Sequence, residues 1–120
     1  MARMVDRRQL RDILSKRKMI KSEYPLKEVK QLARERRVLF VPRKDGKADP
    51  GNVRMTIVQA CDVIANLAPK DFDITSYKGG CPADVYKVPY IRPGFERKWL
   101  YIKLQIAEDE TLLVVISFHI

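Results

Sequence analysis

Few side chains in this 120-residue chain can move a proton near neutral pH, and the single histidine, His119, is the first of them. An imidazole titrates close to neutrality, so it can both take and return a proton. Around residues 99–106, Trp99, Tyr101, Lys103 and Gln105 alternate with Leu100, Ile102, Leu104 and Ile106. Further on, Leu113, Val115, Ser117 and His119 alternate with Leu112, Val114, Ile116, Phe118 and Ile120. Strands send alternate side chains to opposite faces. If the two segments pair as a hairpin across Glu108–Glu110, then Tyr101, Lys103, Ser117 and His119 reach one exposed face near one end of a sheet. A phenol, an ammonium and an imidazole together suit metal-free cleavage of an RNA phosphodiester. That reaction needs a base for the 2′-hydroxyl proton, an acid for the leaving oxygen, and positive charge on the phosphate. In it His119 exchanges protons, Lys103 supplies charge, and Tyr101 orients the phosphate or stacks a base. Arg97, Lys98, Trp99 and Lys78 are candidate RNA-binding residues around them. On spacing alone the competing readings stay open: packing for Tyr101 and Trp99, an inert surface position for His119, and a solubilising role for Lys103.

Other chemistries find less support. Lys78-Gly79-Gly80 reads as a turn, because a phosphate-cradling loop needs a longer glycine-rich signature feeding a helix. Cys61 and Cys81 lie twenty residues apart with only His119 as further soft-ligand company, too little for a zinc site and a weak case for a disulfide. A thiol nucleophile at Cys81 has only His119 as a base. Asp71, Asp73 and Asp84 show no convincing metal spacing, and Asp71 suits a turn after Pro69. No metal and no cofactor is expected.

The elements that must carry these residues follow from periodicity. Leu10, Ile13, Leu14 and Arg17 fall at helical spacing within Asp6–Lys18, among five basic residues, and predict a short basic helix. Pro25 opens a second helix with Leu26, Val29, Leu32 and Ala33 on one stripe, running to about Arg36. Val38–Val41 predicts a strand, ended by Pro42. Residues 45–52 contain Gly46, Pro50 and Gly51 and predict a mobile loop. Val53, Ile57, Ala60, Cys61, Ile64 and Leu67 form the face of a central helix stopped by Pro69, with Val58 and Val63 implying cover on more than one side. The rhythm then becomes period two over 84–91, 100–107 and 111–120, a three-stranded antiparallel meander. Helices first and strands last imply an α+β fold, N-terminal helices packed on a C-terminal antiparallel sheet.

Chain length supports one compact domain, 25–120, preceded by a basic helical extension, 1–24. No apolar run approaches a membrane span, and Met1–Arg11 is charged where a secretory signal would turn apolar, so a cytoplasmic protein without membrane contact is expected. Charge is lopsided: residues 1–54 hold 17 Lys/Arg against 7 Asp/Glu, while residues 55–120 hold 7 against 8. Such a basic half attracts phosphates or an acidic protein.

Several segments resemble the motility quorum-sensing regulator (MqsR) toxins of bacterial toxin–antitoxin pairs. Leu26–Leu32 resembles a helix of that family, and Cys61–Leu67 followed by Asp71-Phe72 is similar to its central helix and turn. Asp84-Val85-Tyr86, Leu100-Tyr101-Ile102-Lys103 and Val115-Ile116-Ser117-Phe118 resemble its Asp-Val-Tyr, Val-Tyr-Leu-Lys and Val-Ser-Phe strands. The likeness runs from about residue 25 to the end. It implies a RelE-like ribonuclease fold, a toxin that cleaves mRNA as an endoribonuclease (an mRNA interferase) and so inhibits translation and growth, and a cognate antitoxin, with the ribosome a further candidate partner. The family's strand tyrosine matches Tyr101, and the basic residue after its Ser-Phe is here His119 in place of lysine. The family's lysine after the Asp-Phe turn falls on Ile74 and its glutamine on Ala83, with Lys78 or Lys70 available to restore the lost charge.

The rival reading is a non-catalytic RNA- or ribosome-binding module that depends on its basic amino-terminal helix; a third is a domain whose basic half meets only an acidic protein. Deleting residues 1–20 separates the first two. A sheet-borne nuclease keeps cutting RNA after truncation, whereas a binding module loses nearly all RNA affinity in a filter-binding titration.

Overall fold

A computed structural model describes residues 22–90 and 98–120; the expected basic helix Asp6–Lys18 and Arg97 lie outside the described residues. The described elements are α1 (Leu26–Arg34), β1 (Val38–Phe40), α2 (Ile57–Ala65), β2 (Phe72–Ser76), β3 (Ala83–Tyr90), β4 (Lys98–Ile106) and β5 (Leu113–His119), with 3-10 turns at Pro50–Val53 and Pro69–Asp71. They form the α+β fold that periodicity predicts, with helices against one sheet.

The sheet has the order β1-β5-β4-β3-β2. The expected meander is its β3-β4-β5 core, antiparallel throughout. Two strands extend it. β1 pairs with β5 in parallel, so the sheet is mixed rather than wholly antiparallel. β2, which periodicity does not reveal in its five residues, pairs antiparallel with β3 and is interrupted by an irregularity between Phe72 and Ile74.

α1 begins at Pro25, whose fixed φ suits a helix start, and lays Val29, Leu32 and Ala33 on the core. It stops in a left-handed Arg36: the Arg36 and Arg37 amides bond back to the carbonyls of Ala33 and Leu32, a Schellman-type closure. α2 starts four residues later than the apolar face beginning at Val53 suggests. Thr56 and Gln59 form a capping box there, and the left-handed Arg54 separates the helix from the Pro50–Val53 turn, which buries Val53 on its own. Ala60, Cys61, Ile64 and Ala65 of α2 face the core and Val63 packs partly against it, but Val58 remains 53% exposed, so no cover for that side is found among the described residues. Among the described residues no helix is long and apolar enough to cross a membrane.

The helices cover one sheet face, where Tyr86, Leu100, Ile102, Leu104, Leu113, Val115 and Phe118 are almost fully buried. The loop 45–52, expected to be mobile, is instead cross-braced. Asn52 donates to the Gly46 carbonyl, Asp49 caps the Gly51 amide, and Ala48 and Pro50 are buried. Short polar side chains that bond neighbouring backbone groups give a Gly/Pro-rich segment one conformation.

One polar group is fully buried on the helix side of β3. Asp84 accepts from the backbone amides of Glu23 (2.9 Å) and Tyr24 (2.8 Å) and from the Thr75 hydroxyl (2.6 Å). A buried carboxylate persists only when its oxygens are bonded, and here the bonds fasten the segment before α1 to β2 and β3. Replacing Asp84 by Ala orphans three donors, and the expected loss is about 3 kcal/mol, read as a lower urea midpoint at unchanged slope. A loss under about 1 kcal/mol would mean the three donors find other partners.

Candidate functional site

The face of the sheet away from the helices carries the polar residues. Cross-strand register sets Lys87 of β3 opposite Tyr101 of β4, and Tyr101 opposite His119 of β5. Directly opposed side chains share a face and lie close enough to interact. One step along, Val85, Lys103 and Ser117 form the neighbouring row, and Pro89 opposes Trp99 on the other side. Tyr101, Lys103, Ser117 and His119 therefore share the face that the alternation implies.

The route to that face is not simple alternation. Lys103 pairs with Ser117 but Leu104 pairs with Val115, so Ile116 is the extra residue of a β-bulge. Leu113 and Val115, expected beside His119, point instead into the core with Phe118. The core's demand for apolar area is met on both sides of the bulge, which a strict period of two would forbid.

An open cleft of about 580 Å³ occupies this face. Tyr101, His119, Trp99 and Phe72 supply aromatic walls, Lys70, Lys87, Asp71 and Asp73 supply charge, and Ile120 completes the lining. The rings of Tyr101 and His119 stack, with centroids 5.1 Å apart and planes 27° from parallel. Nδ1 of His119 lies 3.2 Å from the Ile120 carbonyl oxygen. A carbonyl can only accept, so that bond needs Nδ1–H and leaves Nε2 as the basic nitrogen of the neutral ring. Trp99, 59% exposed, presents an uncovered ring on the Tyr101 face. Lys87 pairs with Asp73 at 3.4 Å, both side chains about half exposed.

The remaining candidates disperse. Lys103 is half-buried in the next row and does not line the cleft. Lys98 opposes Tyr90, a core residue, so it sits on the other face from Trp99 and Tyr101. Lys78 follows the Ser76/Ala83 pair, at the end of β3 remote from Lys87, about 13 Å of strand away. Of the two lysines able to restore the charge missing at Ile74, Lys70 lines the cleft and Lys78 does not. Ile74 is 57% exposed and Ala83 is buried. Lys87 is the charged cleft residue that sequence reasoning misses, and Asp71 and Asp73 are the ones it discounts. Lys87 alternates correctly with Tyr86, but its meeting with Tyr101 depends on the register of β3 against β4. Asp73 reaches it from the irregular point of β2.

Cysteine chemistry gains nothing here. Cys61 is buried in α2, and burial pushes its thiol up, away from the reactive thiolate. Cys81 is exposed beside the turn at the remote end of β3. The three aspartates separate: Asp71 accepts from the Ala68 amide in its turn, Asp73 holds Lys87, and Asp84 is buried behind the sheet. Among the described residues no three His, Cys, Asp or Glu side chains gather into a metal-binding group.

A family model described as motility quorum-sensing regulator, toxin of MqsA, matches residues 21–120. No curated protein matches the chain.

The carboxylate of Asp73 competes with any phosphate for Lys87. Asp73→Asn is expected to tighten RNA binding at low salt by about two- to fivefold, the worth of an exposed ion pair. Unchanged or weaker binding in a fluorescence titration would mean Asp73 serves the ligand rather than opposing it.

Proposed function

The chain belongs to the family of motility quorum-sensing regulator toxins, and on that premise we propose that it is a cytoplasmic, metal-independent endoribonuclease that cuts mRNA and so inhibits translation and growth. Family membership makes it the toxin of a toxin–antitoxin pair, and a cognate antitoxin neutralises it. The observation that carries the nuclease reading is the cross-strand row Lys87, Tyr101 and His119 along one aromatic-walled cleft.

RNA can cut itself when its 2′-oxygen attacks the adjacent phosphorus and the 5′-oxygen leaves. In this reading Nε2 of His119 exchanges protons with the reacting oxygens. Tyr101, fixed by its stack on the imidazole, holds a phosphate oxygen through its hydroxyl. Lys87, on the other flank of Tyr101, stabilises the charge that builds on the phosphate, and Lys103 adds to it from the adjacent row. Lys70 and Trp99 extend the grip along the strand, one to a phosphate and one to an unpaired base. Lys98 and Lys78 add longer-range attraction for the RNA backbone outside the cleft.

The products are a 2′,3′-cyclic or 3′ phosphate and a 5′-hydroxyl. Purified protein incubated with mRNA in excess chelator should still cut, and His119→Ala should slow cutting at least about 100-fold. Chelator-sensitive cutting would sink the metal-independent mechanism, and an unslowed His119→Ala would sink the role of the imidazole.

A further inference from the structure

β5 has two opposed duties: to bury Leu113, Val115 and Phe118, and to present His119 beside Tyr101. In an uninterrupted strand His119 would share a face with Leu113 and Val115, and Phe118 would point to solvent. The bulge at Ile116 reverses the alternation at the one place that satisfies both.

A bulge takes a backbone group out of the ladder and needs another partner for it. The Ile116 carbonyl accepts from Nη1 of Arg43 at 3.0 Å, and the same nitrogen donates to Oγ of Ser117 at 2.9 Å. Nη2 of Arg43 donates to the Asp45 carboxylate at 2.6 Å. The other Asp45 oxygen accepts from the Lys47 amide at 3.0 Å, and the Lys47 carbonyl accepts from the Phe118 amide at 2.7 Å. The circuit is closed. Residues 43–47 grip three successive residues of β5 immediately before His119. The Lys47 amide bond and the Arg43 guanidinium hold the Asp45 carboxyl below its ordinary range, so the tether is ionised at neutral pH.

We infer that Arg43 is a positioning residue: its guanidinium locks the bulge at Ile116 and thereby fixes the face on which His119 meets Tyr101. The kinetic consequence rests on the nuclease reading above; the structural consequence does not.

Composition supplies the probe. With one histidine in the chain, its imidazole C–H signals in a proton NMR spectrum need no assignment. The stacked Tyr101 ring shifts them, and Tyr101→Leu gives their unstacked positions. Arg43→Ala is expected to move both signals at least halfway to those positions, Arg43→Lys to move them less, and Thr56→Ala, a destabilising change in a distant helix cap, to leave them in place. On RNA, Arg43→Ala should lower kcat about 10- to 100-fold while KM stays within about twofold, because the acid–base group is misplaced and the binding walls are not. Unmoved imidazole signals in Arg43→Ala would overturn the inference. Should that variant not fold, Asp45→Ala, which keeps the guanidinium and cuts its tether, is read the same way, and unmoved signals there overturn it equally. Signals that move in a protein that never cuts RNA leave the clamp standing and refute the nuclease. Cutting at full rate with unmoved signals refutes the clamp alone.

Discussion

Side chains alternate along a strand, and among the described residues helices cover one face of this sheet only. The helix-facing residues of β3, β4 and β5 are therefore apolar apart from the fully bonded Asp84, and the residues between them are delivered to the other face. The cleft is what the alternation leaves behind: Lys87, Tyr101 and His119 occupy the positions between Tyr86 and Val88, Leu100 and Ile102, and after Phe118. Core and cleft are two readings of one pattern. A change on the buried side reaches the cleft by moving the strand that both share, because close-packed interiors transmit displacement rather than absorb it.

Much of this was legible in the residues. β4 alternates without fault over Lys98–Ile106, so the facing of Tyr101 and Lys103 could be read directly. The helix start at Pro25 follows from proline's fixed φ, whereas the central helix, expected to run to Pro69, already ends at Ala65, and Pro69 opens the next 3-10 turn. What could not be read are the places where a contact distant in sequence overrides the local pattern. The parity of β5 changes at Ile116 because Arg43 satisfies the carbonyl that the bulge releases, and nothing near Ile116 announces a partner so far away. β2 is short and irregular, and Phe72–Ser76 becomes a strand through pairing with β3 rather than through its own rhythm. Lys98 and Lys78 lie outside the cleft, one by a single step of register and one by the length of a strand. Charge composition locates attraction for phosphate only coarsely; register decides which cation reaches it.

The cleft is also electrically mixed. Lys70 and Lys87 line it together with Asp71 and Asp73, so the basic character of the whole chain is not concentrated at the proposed reacting centre. A mixed lining suits a site that must hold a polyanion and still let the products leave. The larger excess of positive charge lies in residues 1–54, and its field favours polyanions over longer range than any single contact in the cleft.

The brace between the 43–47 loop and the end of β5 joins residues 73 positions apart, and β1 finds its partner over a similar span. Contacts between such distant parts of a chain form late, because the intervening loop must close before they return any stability. Emerging from the ribosome, the α1–β1 portion lacks the β5 partner of its strand and of the Arg43 guanidinium until β5 has been made. A nascent copy thus cannot brace the segment that carries His119 until β5 itself has emerged.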